Sequence, residues 1–332
     1  MRTSPDRALM ATAATLDAVV RAAGPQLGSL MERVEQRLTE LTAGHGQLLA
    51  EHAGTTIAAG GKRLRPLLVL LAAGESAAPT DRLIRSAVAV ELIHSASLVH
   101  DDVLDRAPVR RGRPTVFAAA GRTVATATGD LLFSRAFAEL AASGEAADVR
   151  ALSGASSALA AGELMQRADA WDVGVSLDRY LERCELKTGA LFEAACRLGA
   201  LATAGPDEAL AAFGRRIGLA FQLLDDVLDV SGPASRTGKA RGTDLLDGTV
   251  TLPLIIARER DPALAATDLR ALATAEQAES ICDRIAATGA LSDAKERALA
   301  VVAEAKAGLP ALPLRQQATL ELVADGVVER YS

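Results

Sequence analysis

The pentapeptide Asp-Asp-Val-Leu-Asp occurs twice in the chain, at 101–105 and at 225–229. Each copy crowds three carboxylates together after a strongly apolar run: Ala87-Val88-Ala89-Val90-Glu91-Leu92-Ile93 leads toward the first, and 217–224 runs straight into the second. On a helix, residues i and i+4 share a face, so Asp101 projects with Asp105 and Asp225 with Asp229. Like charges at that spacing destabilise a helix by roughly 0.2–0.5 kcal/mol per pair. A chain that does this twice beside apolar sequence calls for cations to offset it. All-oxygen donor sets suit Mg²⁺, which keeps waters and shares its ligands with phosphate oxygens. The competing reading is two solvated acidic helix ends. It suits a single cluster better than two identical ones with basic residues nearby.

The surrounding composition points to helices. Hydrophobic residues make up 49% of the 332 positions and aromatics only 3%, so the core must be aliphatic, and Ala and Leu fill helices rather than strands. Helical spacing over 25–57 (Leu27, Leu30, Met31, Val34, Leu38, Leu41) predicts one or two amphipathic helices. Pro66 suits the first turn of an apolar helix running to Ala73. Further helices are expected from Pro79-Thr80-Asp81 into the first acidic motif, over 124–142, over 146–168, and over 176–203 with a local distortion at Gly189. Another is expected from Pro206 through the second motif, one begins at Thr251-Leu252-Pro253, and three or four weaker ones follow Pro262. Arg110-Arg111-Gly112-Arg113-Pro114 reads as a basic loop. The stretch 231–248, rich in Gly, Pro and Ser, reads as a long loop suited to a lid. No strand, linker or short repeat is expected. The expectation is a poorly ordered segment over 1–24 and a single all-α domain, a large helical bundle with a central apolar cavity, over 25–332.

Several function classes fall away. The net charge of −6 argues against non-specific nucleic-acid binding. Cys184, Cys196 and Cys282 are widely spaced, odd in number and lack a CxxC, so they read as reduced thiols of a cytoplasmic protein. No run approaches the ~20 apolar residues of a transmembrane segment, and Asp6, Arg7, Asp17 and Arg21 interrupt any signal-peptide core.

The basic residues fall into groups. Lys62 and Arg65 lie at a helix start after Gly60-Gly61, where helix N–H groups and cations together make an anion site. Arg110 and Arg111 follow the first acidic motif, and Lys187 and Lys239 sit in apolar or Gly-rich surroundings. His94 stands two helical turns before Asp101 and can face the same space. Any one of these is more often an exposed helix end or a satisfied core residue. Acidic clusters for Mg²⁺ flanked by separate basic groups fit two polyphosphate substrates, one of them metal-bound.

In this setting the ordered motifs GGKRLRP (60–66), ELIHSASLVHDDVLD (91–105), RRGRPT (110–115), GDLLFSRAF (129–137), KTGALF (187–192), FQLLDDVLDVSG (221–232), GKARGTDL (238–245) and TLP (251–253) resemble the trans-isoprenyl diphosphate synthases of the polyprenyl synthetase family. The resemblance implies an all-helical isoprenoid synthase fold and a homodimer. It implies a Mg²⁺-dependent, head-to-tail condensation of isopentenyl diphosphate with an allylic diphosphate. Asp101 and Asp105 would bind Mg²⁺, with Asp102 in support. Asp225 would bind a third ion from the opposite wall, near Asp226 and Asp229. Lys62, Arg65, His94 and Arg111 would hold isopentenyl diphosphate, and Arg110, Lys187 and Lys239 the allylic diphosphate. Thr188 and Gln222 would line the place where the allylic cation develops. Bulky residues four and five positions before the first Asp stop chain growth early in this family. Ser97 and Ala96 are small there, which implies a product of C30 or longer and transient membrane contact for its release. Thr249 stands where the family often has a Lys that contacts the allylic diphosphate. Three rival readings stay open: a shorter-chain farnesyl or geranylgeranyl synthase, a class I terpene cyclase, and a non-catalytic subunit of a heteromeric synthase.

Overall fold

The computed structural model describes residues 18–43, 47–58, 61, 63–74, 81–232 and 241–329. In chain order its helices are α1 (Pro25–Ala43), α2 (Gln47–Ala58), α3 (Leu64–Ala73), α4 (Asp81–Leu104), α5 (Val116–Ala141), α6 (Ala146–Ala168), α7 (Leu177–Cys184), α8 (Ala190–Leu201), α9 (Asp207–Ser231), α10 (Thr243–Leu246), α11 (Leu252–Arg260), α12 (Pro262–Ala265), α13 (Ala275–Ala287), α14 (Ala290–Ala307) and α15 (Leu314–Glu329). The all-α expectation holds. Within the segment expected to be poorly ordered, residues 18–23 are helical and Val19 is buried in the core. Pro79 and Thr80 of the expected helix start, Lys62, Lys239 and residues 233–240 of the expected loop lie outside the described residues.

Three local differences have physical causes. Residues 110–114 are not a plain loop: Val109–Arg110 and Arg113–Pro114 form a two-stranded antiparallel hairpin. Arg111 and Gly112 both take positive φ, 52° and 73°, as the two central residues of a type I′ turn require. The helix expected from 124 starts earlier, at Val116, capped by the Thr115 side chain, and is broken at Gly121 with φ 80°. The expected start falls just after that break. The loop expected over 231–248 contains one helical turn, α10.

The helix that ends in the first acidic motif forms the central strut. α4 packs lengthwise on α5, α3 and α9 both pack on α8, and α14 covers α9. By length and composition alone α4 could cross a membrane, contrary to the sequence expectation. Yet 78% of its apolar window is buried inside this fold, so its hydrophobicity is satisfied by neighbouring helices. The buried face includes Val88, Leu92 and Ile93 of α4, Leu132 of α5, Phe192 of α8 and Phe213 and Leu223 of α9. From the far end of the chain, Gln316 on α15 donates to the Leu71 and Ala72 carbonyls at 3.1 and 2.9 Å, closing the C-terminus of α3.

α3 and α8 approach so closely that a Cβ at Gly199 would stand 2.1 Å from the Val69 carbonyl oxygen. Gly199→Ala must push the two helices apart. We expect it to destabilise the protein by about 1–3 kcal/mol, as overpacking does, in denaturant unfolding followed by circular dichroism.

Candidate active site

The candidate site is built around one irregular turn. Between α7 and α8 the chain runs through a π-helical turn, Glu185–Gly189, at the distortion expected near Gly189. Two glycines make room for it. A Cβ at Gly162 on α6 would lie 2.6 Å from the Lys187 backbone nitrogen, and one at Gly218 on α9 would lie 2.9 Å from the Gly189 Cα. The turn is thereby held between α6 and α9 and presents Lys187 and Thr188 in succession.

Lys187 pairs with Glu163 and donates to Gln166 at 3.1 Å, both on α6. Its charge also acts on Asp101. Thr188 donates to Gln222 Oε1 at 2.7 Å, and Gln222 Nε2 donates to Asp226 Oδ1 at 2.8 Å. The same turn is therefore bonded to the helix of the second motif and acts by charge on the first.

The first motif, at the C-terminal end of α4, divides its carboxylates. Asp102 is buried and accepts from Arg110 Nε at 2.7 Å. Asp105 accepts from Arg167 at 2.5 Å, and Arg167 also holds Glu163 at 2.9 Å. Burial pushes the Asp101 carboxyl up to about 6, with Glu163 and Asp105 adding and Lys187 and Arg110 opposing. In the second motif Asp225 is exposed, while Asp226 is buried and also accepts from the Tyr180 hydroxyl at 2.5 Å. Burial pushes Asp226 up to about 8. Nearby Asp244 and Asp225 add to this, and the bonds donated by Tyr180 and Gln222 oppose it. The Asp244 backbone N–H reaches Asp229 at 3.4 Å, so α10 folds back over this motif.

The cationic residues gather beside α4. Burial lowers the Arg65 guanidinium to about 10, with Arg111 adding and Glu91 opposing. Arg65 lies 4.6 Å over the Phe192 ring, and its buried Nε has no hydrogen-bond partner. Burial, then Arg65, Arg111, Arg110 and Arg63, holds the His94 imidazole well below its ordinary value, so His94 is neutral in the physiological range. Arg63, in the left-handed region with φ 46°, anchors the loop before α3 through Glu35 at 2.5 Å, Glu91 at 2.8 Å and the Ile57 carbonyl at 2.9 Å. It is this anchor that leaves Arg65 facing Arg111 and His94.

The structure thus brings Arg65, His94, Arg110 and Arg111 together, and Lys187, Thr188 and Gln222 at the π turn, with Asp101 in the field of Lys187 and Asp225 exposed beside Asp226. Ala96 is fully buried, and Ser97 is nearly so and donates to the His94 carbonyl at 2.8 Å. His100 turns away from the acidic motif: it stacks on Phe133 at 5.6 Å and lies 3.3 Å from Asp130. Thr249 is fixed by its own N–H to the Asp244 carbonyl at 2.7 Å. Beside it the Trp171 ring covers Gly248, and the Trp171 backbone N–H donates to the Gly248 carbonyl, also at 2.7 Å. Sequence reasoning missed Glu163, Arg167, Tyr180 and Asp244. The i,i+4 spacing of Glu163 and Arg167 was a signal for the first two. Tyr180 carried none beyond the rarity of tyrosine in this chain. A surface groove of about 550 Å³ between α6 and α8, lined by Ala158, Ala190 and Arg197 among others, holds none of these residues.

Among the described residues no three His, Cys, Asp or Glu side chains converge as a ready-made metal cage. The donor set nonetheless fits Mg²⁺. That ion takes one or two protein carboxylates and completes its shell with water and phosphate oxygens. Burial raises the Asp101 and Asp226 carboxyls, and a divalent cation beside them would favour their ionised forms.

Two acidic motifs, one linked by hydrogen bonds and the other by charge to the same lysine-bearing turn, with a buried cationic pocket alongside, are the marks of an isoprenoid synthase. The polyprenyl synthetase family model matches residues 46–288, and the chain belongs to that family and is a prenyltransferase. It is 40% identical over 270 residues to heptaprenyl diphosphate synthase component 2 of Geobacillus stearothermophilus, covering 78% of this chain and 84% of that one. It is 34% identical to geranylgeranyl diphosphate synthase of Methanosarcina mazei, over 92% of this chain and 99% of that one. Its structure superposes on the polyprenyl synthase of Caulobacter crescentus complexed with calcium and isoprenyl diphosphate with a TM-score of 0.88 at 34% identity, over 96% and 98% of the two chains.

The buried acid of the second motif has a consequence for stability. A carboxyl at about 8 in the native state and about 4 when unfolded stabilises the fold fully below pH ~4, and this contribution is lost as pH rises toward about 8. In a chelating buffer, the melting temperature of Asp226→Asn is therefore expected to gain on that of the native protein between about pH 5 and 8, as thermal melts read by circular dichroism at each pH will show.

Proposed function

We propose that this prenyltransferase condenses isopentenyl diphosphate with an allylic diphosphate, head to tail and in a Mg²⁺-dependent manner, to give a trans-polyprenyl diphosphate of C30 or longer. The observation that carries this reading is the π turn. Lys187 acts by charge on Asp101 and Thr188 bonds Gln222, which supports reading the two acidic motifs as parts of one site. Arg110 joins that site to the pocket of Arg65, His94 and Arg111, because it holds Asp102 and also acts on His94.

In this scheme Asp101, Asp105 and Asp225 hold the metal, three ions in all. When bound, it neutralises the charge that builds on the departing diphosphate. Lys187, Arg110 and Lys239 hold the allylic diphosphate and stabilise the same charge. Lys62, Arg65, Arg111 and neutral His94 fix isopentenyl diphosphate so that its double bond meets the allylic carbon, a matter of orientation rather than of a protein nucleophile. Thr188 and Gln222 turn oxygen lone pairs toward the cationic carbon while the packed helices keep water out. The final proton leaves to the released pyrophosphate. Ala96 and Ser97 leave the growing tail a path along α4. The enzyme acts in the cytoplasm as a homodimer and passes its apolar product to a membrane.

The rival with a specific observation behind it is a subunit that needs a partner, since the relative from Geobacillus stearothermophilus is named as one component of a synthase. Incubating the purified chain with isopentenyl diphosphate, each allylic starter, and Mg²⁺ or a chelator separates the readings. Elongation by the chain alone, lost on chelation, is expected, and silence of the chain alone in Mg²⁺ would sink the homodimer reading. Product from an allylic starter without isopentenyl diphosphate would instead mark a cyclase.

Three variants sharpen this. Asp101→Asn and Asp225→Asn should each lower kcat about a hundredfold or more, the usual scale for loss of charge stabilisation in the transition state, in a radiolabelled incorporation assay. Ala96→Phe should shorten the main product by at least one five-carbon unit. An unchanged product distribution by mass spectrometry would place the tail elsewhere.

A further inference from the structure

The π turn is tied to the second acidic motif by a chain of side chains that begins away from the metal and substrate groups. Tyr180 on α7 is fully buried. Its hydroxyl donates to Asp226 Oδ2 at 2.5 Å. The other oxygen, Oδ1, accepts from Gln222 Nε2 at 2.8 Å, and Gln222 Oε1 accepts from the Thr188 hydroxyl at 2.7 Å. Tyr180 and Thr188 flank the irregular turn, one before it and one within it. The network is therefore a closed clasp around that turn, with α9 as its other side.

The order of donors in this clasp has a chemical meaning. A primary amide presents two N–H donors at one end and a carbonyl acceptor at the other, and nothing in its shape decides which end faces where. Here the choice is made at Asp226: Oδ1 accepts from the NH₂ at 2.8 Å while Tyr180 donates to Oδ2, so neither carboxyl oxygen directs a hydrogen at the amide carbonyl. The carbonyl is then left to face Thr188. A hydroxyl has one hydrogen to donate and two lone pairs. Because Thr188 spends its hydrogen on Gln222, both of its lone pairs stay available. If the Gln222 amide were reversed, Thr188 would have to accept from it and would lose one of them.

The carboxyl of Asp226 can impose this order only if its own plane is held. Tyr180 does that by taking the second oxygen. We propose that Tyr180 is a positioning residue for the prenyl-transfer step: through Asp226 it fixes the Gln222 amide, so that the Thr188 oxygen keeps its lone pairs for the developing allylic cation. The phenol touches neither substrate nor the reacting carbon. This inference rests on the assignment of Thr188 and Gln222 to the cation site and adds to it a residue that acts only through them.

A double-mutant cycle tests it. Tyr180→Phe should lower kcat about tenfold, the scale of a lost buried hydrogen bond within a coupled network, while KM for both diphosphates stays within about twofold. In a Thr188→Val background the same change should alter kcat by less than about twofold, because the group it serves is already gone. A purely packing role for Tyr180 would lower kcat by the same factor in both backgrounds, and that result overturns the proposal, as does an unchanged kcat for Tyr180→Phe alone. Failure of the underlying reading looks different: Thr188→Val alone would leave kcat unchanged. Each variant is checked by thermal melt. If Tyr180→Phe does not fold, 4-aminophenylalanine at 180 carries the cycle, since it keeps the ring and a weaker donor. A fall in kcat that vanishes with Thr188→Val supports the proposal, and an equal fall in both backgrounds, or none, overturns it.

Discussion

The close approach of backbone to backbone at Gly162, Gly189 and Gly218 is what the rest of the site depends on. A helix carrying Lys187 and Thr188 in regular register, with ordinary side chains at these crossings, would stand farther from both α6 and α9. The extra residue of the π turn and the missing Cβ atoms let one short segment touch two walls at once. Helix packing at this range transmits displacement with little loss, because close-packed interiors have few voids to absorb it. The position of Lys187 relative to Asp101 is therefore fixed by three glycines that carry no chemistry of their own.

Charge is the second organising constraint. The fold gathers buried carboxylates at one end of the site and guanidinium groups at the other, each only partly paired with the opposite charge. Asp101 and Asp226 are driven upward, and Arg65 and His94 downward, chiefly by burial. Such a separation is costly for the isolated chain. It is complementary to an anionic diphosphate at the cationic end and to divalent cations at the acidic end. Arg110, bonded to Asp102 and close enough to act on His94, keeps the two pools from being independent.

Much of this was legible in the sequence. The twin acidic motifs, their apolar leads and the punctuation by Pro and Gly place α4 and α9 correctly. Gly189 inside an otherwise periodic stretch marked the irregular turn. What could not be read was anything set by tertiary approach. The hairpin at 109–114 depends on two consecutive positive φ angles, one of them at Arg111, a residue type that does not announce a turn. Glu163 and Tyr180 gain their roles from partners 24 and 46 positions further along the chain, and no local pattern encodes such a meeting. Arg63 looked like one more cation in a basic run. Its left-handed backbone and its bonds to Glu35 and Glu91 make it the fixed point of that run, while Arg65, two positions on, is the buried charge of the pocket whose Nε has no hydrogen-bond partner. Periodicity registers where a side chain lies on its own helix, and it is silent on which of two neighbouring arginines will find a carboxylate.

The seal that Gln316 makes on the end of α3 links distant parts of the chain. α3 is a rod about 15 Å long, at the usual rise of an α-helix. One end carries Arg65, and the other is gripped by a side chain from the last helix of the protein. The C-terminal helix and the cationic pocket are therefore mechanically in series. Strain introduced at α15, by a fusion partner or by a surface that captures it, has a stiff route to the pocket of Arg65 and His94 that bypasses the acidic motifs altogether.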